Sequence, residues 1–375
     1  MPFFERPLIV GGSAANAGNN LSLLVYPAKK VPSVMELGIL VKEGVKRRAT
    51  TIGILSNEKV TRRDSGCGEF TPTGTLLKLT KNDITVDPVE IKLQECADDY
   101  TETVLESALK DGHAEDNNLE GTVIETIVRK ALTEGLGSLS VNEAGQLDMA
   151  IEPVLTQQVS GVVYLDGYRM WLLGDRTSSD PNYNQTDGIR KKLIVANPTP
   201  SSKGTTGTYR GAAMPTAAAL KADPTLILGV LGDLYENCSE ELQDQDDAQK
   251  AFYLDTKSYR AVRLAYRALV AGKVTEESNL SVIAGSQGQR FTYEGVELIE
   301  LKSYSRWVAA DLPNGTSQCI AIYTVRENLV WATDLISDMA EVKFWYDINT
   351  EFNRTRVKYR IGAGFGFDIL MAYAL

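Results

Sequence analysis

Histidine is almost missing from this chain: His113 is the one imidazole in 375 residues. Histidine is the commonest general base and metal ligand, so a histidine-based active site would have to rest on that residue alone. His113 lies in KDGHAEDNN, a polar and turn-rich stretch. A solvated loop position is expected there, because a catalytic imidazole is packed and oriented by a second group. Cysteine is scarce as well. Cys67, Cys96, Cys238 and Cys319 lie far apart without a CxxC pair, which disfavours a disulfide framework or a zinc site and suits reduced, intracellular thiols. Positive charge is in deficit: 39 Lys and Arg against 49 Asp and Glu leave a net charge of -10. Duplex binding requires clustered cations against the phosphates, so a nucleic-acid reader is not expected. Long apolar runs are absent too. MPFFERPLIV lacks the basic-then-apolar layout of a secretory signal. The longest weakly charged stretch, Ile361 to Leu375, contains Asp368 and falls short of the roughly 20 apolar residues that cross a bilayer. No membrane partner is expected.

What is present is ordinary for a globular chain: 43% hydrophobic and 23% charged residues can bury a core. The first 50 residues read as an arm, with the flexible tract GGSAANAGNN, the Pro-bounded YPAKKVP and the basic run KEGVKRR. From Arg48 to Leu93 short apolar runs (TIGIL, TLLKL, ITVDPVEIKL) flank the polar excursion SNEKVTRRDSGCGEFTPTG. That pattern predicts an extended two-stranded loop. Helical spacing follows Asp98 and Asp99, with Val104, Leu105, Ala108 and Leu109 on one side. A second helix is expected around Leu119, Val123, Ile127 and Ala131, closed by Gly135 and Gly137. A third runs from about Met149 to Leu173, although Gly161 and Gly167 count against it.

Residues 174–229 read as loop, and SEELQDQDDAQ as a solvated acidic run. An amphipathic helix capped by Asp255 or Thr256 then aligns Tyr259, Val262, Tyr266 and Leu269. VELIEL, CIAIYTV, LVWATDL, VKFWYDI and TRVKYRI read as strands of an antiparallel or mixed sheet. The fold class expected is α+β.

The motifs that could carry chemistry are weak. IVGGSAANAG and SSKGTTG lack the spacings that ring a phosphate, and GAGFG at Gly362 to Gly366 leaves too little chain for a nucleotide-binding unit, so it reads as a strand-end bulge. Glu240 to Asp247 lacks the alternating register of a calcium loop. Trp171, Trp307, Trp331 and Trp345 are expected to pack rather than stack on a ligand. No catalytic residue, cofactor or metal is expected.

The order of particular segments is informative. WLLGD at Trp171 to Asp175, SSD, and then Asp187-Gly188-Ile189 resemble the stretch that closes the long helical part of many tailed-phage major capsid proteins. NLVWATD followed by EVKFWYDINTEFNRTRVKYRIGAGFG resembles the end of the same proteins. The resemblance covers about Lys92 to Ala372. It implies the Hong Kong 97-type capsid fold, with an N-terminal arm over 1–48 and an extended E-loop over 49–95. A peripheral domain with a long spine helix would occupy 96–175 and an axial domain 176–285, with 286–375 supplying peripheral strands and a return to the axial domain. Some members begin with a removable scaffolding region; here the arm starts almost at Met1, so a separate scaffold or a mature form is expected. Some members cross-link a Lys to an Asn of a neighbour; Lys59 is a possible donor, with no matching Asn identified.

The function implied is a shell subunit whose partners are its own copies in hexamers and pentamers, with scaffolding, portal and decoration proteins beside them. The shell would enclose DNA without reading its sequence, in a virion assembled in the host cytoplasm. Basic residues cluster in the arm and E-loop (Lys42, Lys46, Arg47, Arg48, Lys59, Arg62, Arg63), and acidic ones at Asp111 to Asp116 and Glu240 to Asp247, including Asp244, Asp246 and Asp247. These patches are expected to meet between subunits, so that salt weakens assembly. Two alternatives remain at this stage: a compartment shell or other virion component, and a hydrolase working through carboxylates.

Overall fold

The computed structural model describes residues 37–56, 77–96, 152–270, 280–285, 288–312, 317–334, 342–347 and 352–375. The helices expected between Val104 and Ala131, together with His113, lie outside these residues. Chain contacts divide the protein into two units, one of residues 1–30, 89–166 and 335–359 and the other of 31–88, 167–334 and 360–375.

The larger unit is organised by a mixed eight-stranded sheet. In spatial order its strands are β5 (Ser202–Lys203), β6 (Tyr209–Arg210), β15 (Met371–Ala374), β11 (Ala321–Val325), β7 (Lys250–Asp255), β10 (Val296–Leu301), β9 (Gly288–Tyr293) and β8 (Leu280–Gly285). Every residue of β7 is buried, as is every residue of β15. That explains the unbroken apolar runs AFYL in β7 and MAYA in β15, since a central strand covered on both faces has no polar side to alternate. β7 runs parallel to β10 and antiparallel to β11, and Phe252 opposite Tyr323 stacks on it with ring centroids 4.3 Å apart.

Helices α3 (Ala217–Ala222), α4 (Leu226–Asn237) and α6 (Thr256–Val270) contribute Leu220, Leu231, Leu234, Ala261 and Val262 to one core with Phe252, Leu254 and Tyr323. α6 starts where the sequence placed it. The Asp255 carboxylate accepts from the amides of Lys257 and Ser258, and Tyr259 and Tyr266 meet Phe291 edge-on.

The loop expected over 174–229 is a correction: it contains α2 (Ile189–Ala196), α3 and the first part of α4. Gly229 and Gly232 disfavour a helix at α4, yet Ile227, Leu231 and Leu234 bury its inner face. A Cβ at Gly229 would meet nothing, so that glycine weakens the helix without being required by packing.

A second assembly of strands in this unit joins distant segments. β1 (Leu40–Lys42) pairs in parallel with β12 (Leu329–Ala332), which pairs antiparallel with the end of β14 (Phe352–Phe365). Leu37, Ile39 and Val45 are buried around β1. The last part of the expected arm is therefore packed into its own chain, because GILVKEGV supplies apolar positions that a solvated arm would not. β2 (Arg48–Ser56) and β3 (Leu77–Thr85) form a separate two-stranded antiparallel ribbon, in register from Arg48 opposite Thr85 to Ser56 opposite Leu77.

Gly362 and Gly364 sit in regular pairing with β12, so the strand-end bulge expected there is absent. Their smallness has another cause. A Cβ at Gly362 would lie 2.5 Å from the Thr85 carbonyl oxygen, and one at Gly364 would lie 2.6 Å from Ile84 Cγ1.

In the smaller unit β13 (Val342–Asp347) pairs antiparallel with the first residues of β14, Val342 opposite Val357 and Asp347 opposite Phe352. Glu90 on β4 (Asp87–Cys96) meets Lys92, Arg356 and Lys358. Helix α1 (Glu152–Leu173) continues through Gly161 and Gly167 for 22 residues, and its last turns, which belong to the larger unit, bury Tyr168 and Met170 to Leu173. Seven helices longer than a single 3-10 turn occur among the described residues, the last being α7 (Tyr304–Asp311), and with fifteen strands the class is α+β.

Candidate functional site

The three stretches that carry the sequence resemblance meet in one place. The Trp171 indole stacks on Trp331 with centroids 5.9 Å apart and on Tyr168 at 6.0 Å. Its Nε1 donates to the Val330 carbonyl at 2.9 Å, across 159 residues of chain. Beyond Trp171 the helix stops because Gly174 turns the backbone. Its amide donates to the Met170 carbonyl at 2.8 Å, and its own carbonyl accepts from the Gly188 amide at 2.8 Å. No side chain fits at either position: a Cβ on Gly174 would lie 2.3 Å from the Thr186 carbonyl oxygen, and one on Gly188 2.7 Å from the Gly174 nitrogen. Lys192, one turn into α2 (Ile189–Ala196), donates from Nζ to the Ala363 carbonyl at 2.5 Å. Burial pulls its ammonium below the usual lysine value.

The loop between the two glycines is held by carboxylates. Asp175 Oδ1 accepts from the Thr177 amide at 2.9 Å and hydroxyl at 2.6 Å, and Oδ2 pairs with Lys191 Nζ at 3.1 Å. Burial pushes the Asp175 carboxyl upward, but the Thr177 and Lys191 contacts outweigh it and hold the group below its ordinary value. Asp187 Oδ1 accepts from the Arg176 amide at 3.0 Å, while the Arg176 guanidinium pairs with Asp87 and donates to Thr85 Oγ1 at 3.3 Å. The Arg176 pKa is raised, first by its hydrogen bond to Asp87. The two Asp-containing motifs thus order a turn.

Asp255 forms a second buried polar centre. Its carboxylate accepts from the Ser258 and Ser305 hydroxyls, the Ile320 amide at 3.0 Å and the Lys257 amide at 2.8 Å. Burial and then the Asp255 charge push the neighbouring Cys319 thiol up to about 12. A thiol so protonated is a poor nucleophile. Among the described residues no group of three His, Cys, Asp or Glu side chains is placed to hold a metal ion.

The residues expected at intersubunit contacts fall into three groups. Lys46 and Arg47 are exposed, their carbonyls accepting from the Arg360 guanidinium and the Val86 amide. Arg48 pairs with Asp83 across the ribbon. Lys59, Arg62 and Arg63 lie outside the described residues. Asp244 is exposed, Asp246 accepts from the Ala248 amide at 3.1 Å, and Asp247 pairs with the buried Lys250 at 2.9 Å. The sequence alone did not single out Lys250 or Lys192, and it gave Asp255 only as a helix cap. Lys250 and Asp255 bracket the apolar run AFYL, which is the signal that marks a buried and partnered charge, whereas Lys192 sits in the basic run Arg190 to Lys192.

No protein-family model matches the chain, and no curated protein matches it. Among solved structures, a chain from the capsid of Myoviridae phage XM1 is similar at 12% identity and TM-score 0.47, covering 96% of this chain and 97% of that one. A chain from the satellite phage P4 procapsid, solved with its size determination (Sid) protein, is similar at 11% identity and TM-score 0.45, covering 90% and 92%. A chain from the capsid of an empty GTA particle is similar at 12% identity and TM-score 0.43, covering 94% of each.

Proposed function

We propose that this chain is a major capsid protein of the Hong Kong 97 type, a structural subunit that assembles into pentamers and hexamers of an icosahedral head shell around the double-stranded DNA of a tailed phage. One observation carries the reading: the WLLGD, Asp187-Gly188 and NLVWATD…IGAGFG stretches converge through Trp171, Trp331, Gly188 and Ala363. Short motifs that match by chance have no reason to share a junction.

The two-stranded ribbon of β2 and β3 fits the E-loop of such a subunit, and α1 the end of its spine helix. The eight-stranded sheet with α3, α4 and α6 fits the axial domain; β9 to β11 and β15 would belong to it, leaving β12 to β14 to the peripheral domain. Among the described residues the ribbon pairs with no other strand. Ordering it costs about 1–2 kcal/mol per residue, which contacts repeated around a symmetric shell would offset. Scaffolding, portal and decoration proteins are the further partners of this reading, and the virion its location. Size-exclusion chromatography with light scattering tests it: particles of pentamer or hexamer mass or larger are expected, and a monodisperse monomer, also in the presence of the scaffold encoded with it, would contradict it.

A further inference from the structure

Helix α6 contains four cations, Lys257, Arg260, Arg263 and Arg267, and no carboxylate, in a chain of net charge -10. Its inner face buries Ser258, Ala261, Val262 and Ala265. Its outer stripe is Arg260, Arg263, Leu264, Arg267 and Val270, all exposed, with Val270 at 70%. Arginines three and four residues apart on one helix face repel one another, and none of the three makes an ion pair or hydrogen bond with the described residues. In the same unit, Glu236 at the end of α4, Glu240 and Glu241 on α5 (Glu240–Gln243) and Asp244 just after it are exposed. Their carboxylates likewise hold no ion pair among the described residues. Among the described residues, each copy thus displays two patches of opposite sign that do not neutralise one another.

We propose that the outer stripe of α6 docks onto the Glu236–Asp244 segment of a second copy of this chain. The proposal rests on the shell reading and names the contact around its capsomers. Two different patches pairing between copies make a head-to-tail interface, which propagates until the ring closes. Leu264 and Val270 favour a protein partner over duplex DNA, because a phosphate backbone leaves interleaved aliphatic side chains against water. The acidic segment thereby takes a partner from α6 instead of the arm.

Sedimentation velocity on the full chain tests this with three variants: R260E/R263E/R267E, E240R/E241R/D244R and the two sets combined. Each set alone is expected to abolish the oligomer boundary, and the combined charge swap to restore it. Retained far-UV circular dichroism shows that a variant folds, and R263A/R267A replaces any that does not, with at least a tenfold weaker association expected. Oligomers unchanged in the single sets, or no restoration in the swap, would overturn the proposal and leave the shell reading intact. Duplex DNA binding lost in R260E/R263E/R267E with assembly unchanged would assign the stripe to nucleic acid instead. A wild-type chain that stays monomeric at every concentration, also with a scaffolding protein added, would overturn both.

Discussion

The amide of Gly188 donates to the carbonyl of Gly174 at 2.8 Å, closing a loop whose two ends touch backbone to backbone. A Cβ on Gly174 would stand 2.3 Å from one carbonyl oxygen and one on Gly188 2.8 Å from another, that of Met170, and backbone cannot swing aside as a flexible side chain can. Gly174→Ala and Gly188→Ala should each destabilise the fold by on the order of 2–4 kcal/mol. Gly229→Ala, in an open helical position, should stabilise it by about 1 kcal/mol. Urea denaturation of the three variants checks the contrast, and equal effects would contradict it.

Asp255 satisfies several donors inside the core. Asp255→Asn would turn an amide NH2 toward groups that also donate, leaving buried polar atoms unpaired. A loss of roughly 2–4 kcal/mol is expected, read as a lowered denaturation midpoint. Asp246→Asn, whose cap is exposed, should change stability by less than about 1 kcal/mol.

Acid should loosen the Glu90 cluster. Hydrogen bonding from Lys92, and then the Arg356 guanidinium, hold the Glu90 carboxyl at about 2, well below its ordinary 4.5. A carboxylate whose folded value is depressed contributes stability that is complete above its unfolded value and is lost as pH falls toward the folded one. The contribution therefore disappears between about pH 4.5 and 2, and its exposure keeps it modest. Thermal melts from pH 6 downward should show Arg356→Gln converging with the wild type in this window; a constant difference would contradict the assignment.

Cys238 and Cys319 are both buried, and burial raises both thiols, Cys319 up to about 12. Maleimide at mildly alkaline pH should leave these two unlabelled in the native protein and label them in denaturant. Peptide mass spectrometry reads each site, and native labelling of Cys319 would show that this core opens.

Much of this was legible before the structure. The Tyr259, Val262, Tyr266 spacing gave α6, and β-branched and aromatic runs gave β10 to β14, because burial of one face imposes the period. α4 was hidden by Gly229 and Gly232, since propensity is weak against the burial of Ile227 and Leu231. α2 was hidden by its eight residues and its Lys191-Lys192 pair. The partners of Arg48 and Lys250, and the Ser305 and Ile320 partners of Asp255, were not legible, because strand register and sheet order decide which groups meet. The glycines of GAGFG were visible as a motif, but only the approach of Ile84 and Thr85 explains them.

Negative-stain electron microscopy of the purified chain, alone and with a candidate scaffolding protein, tests the central claim most directly. The account predicts five- and six-membered rings or closed shells tens of nanometres across. Uniform small particles without rotational symmetry, unchanged by concentration or scaffold, would contradict it.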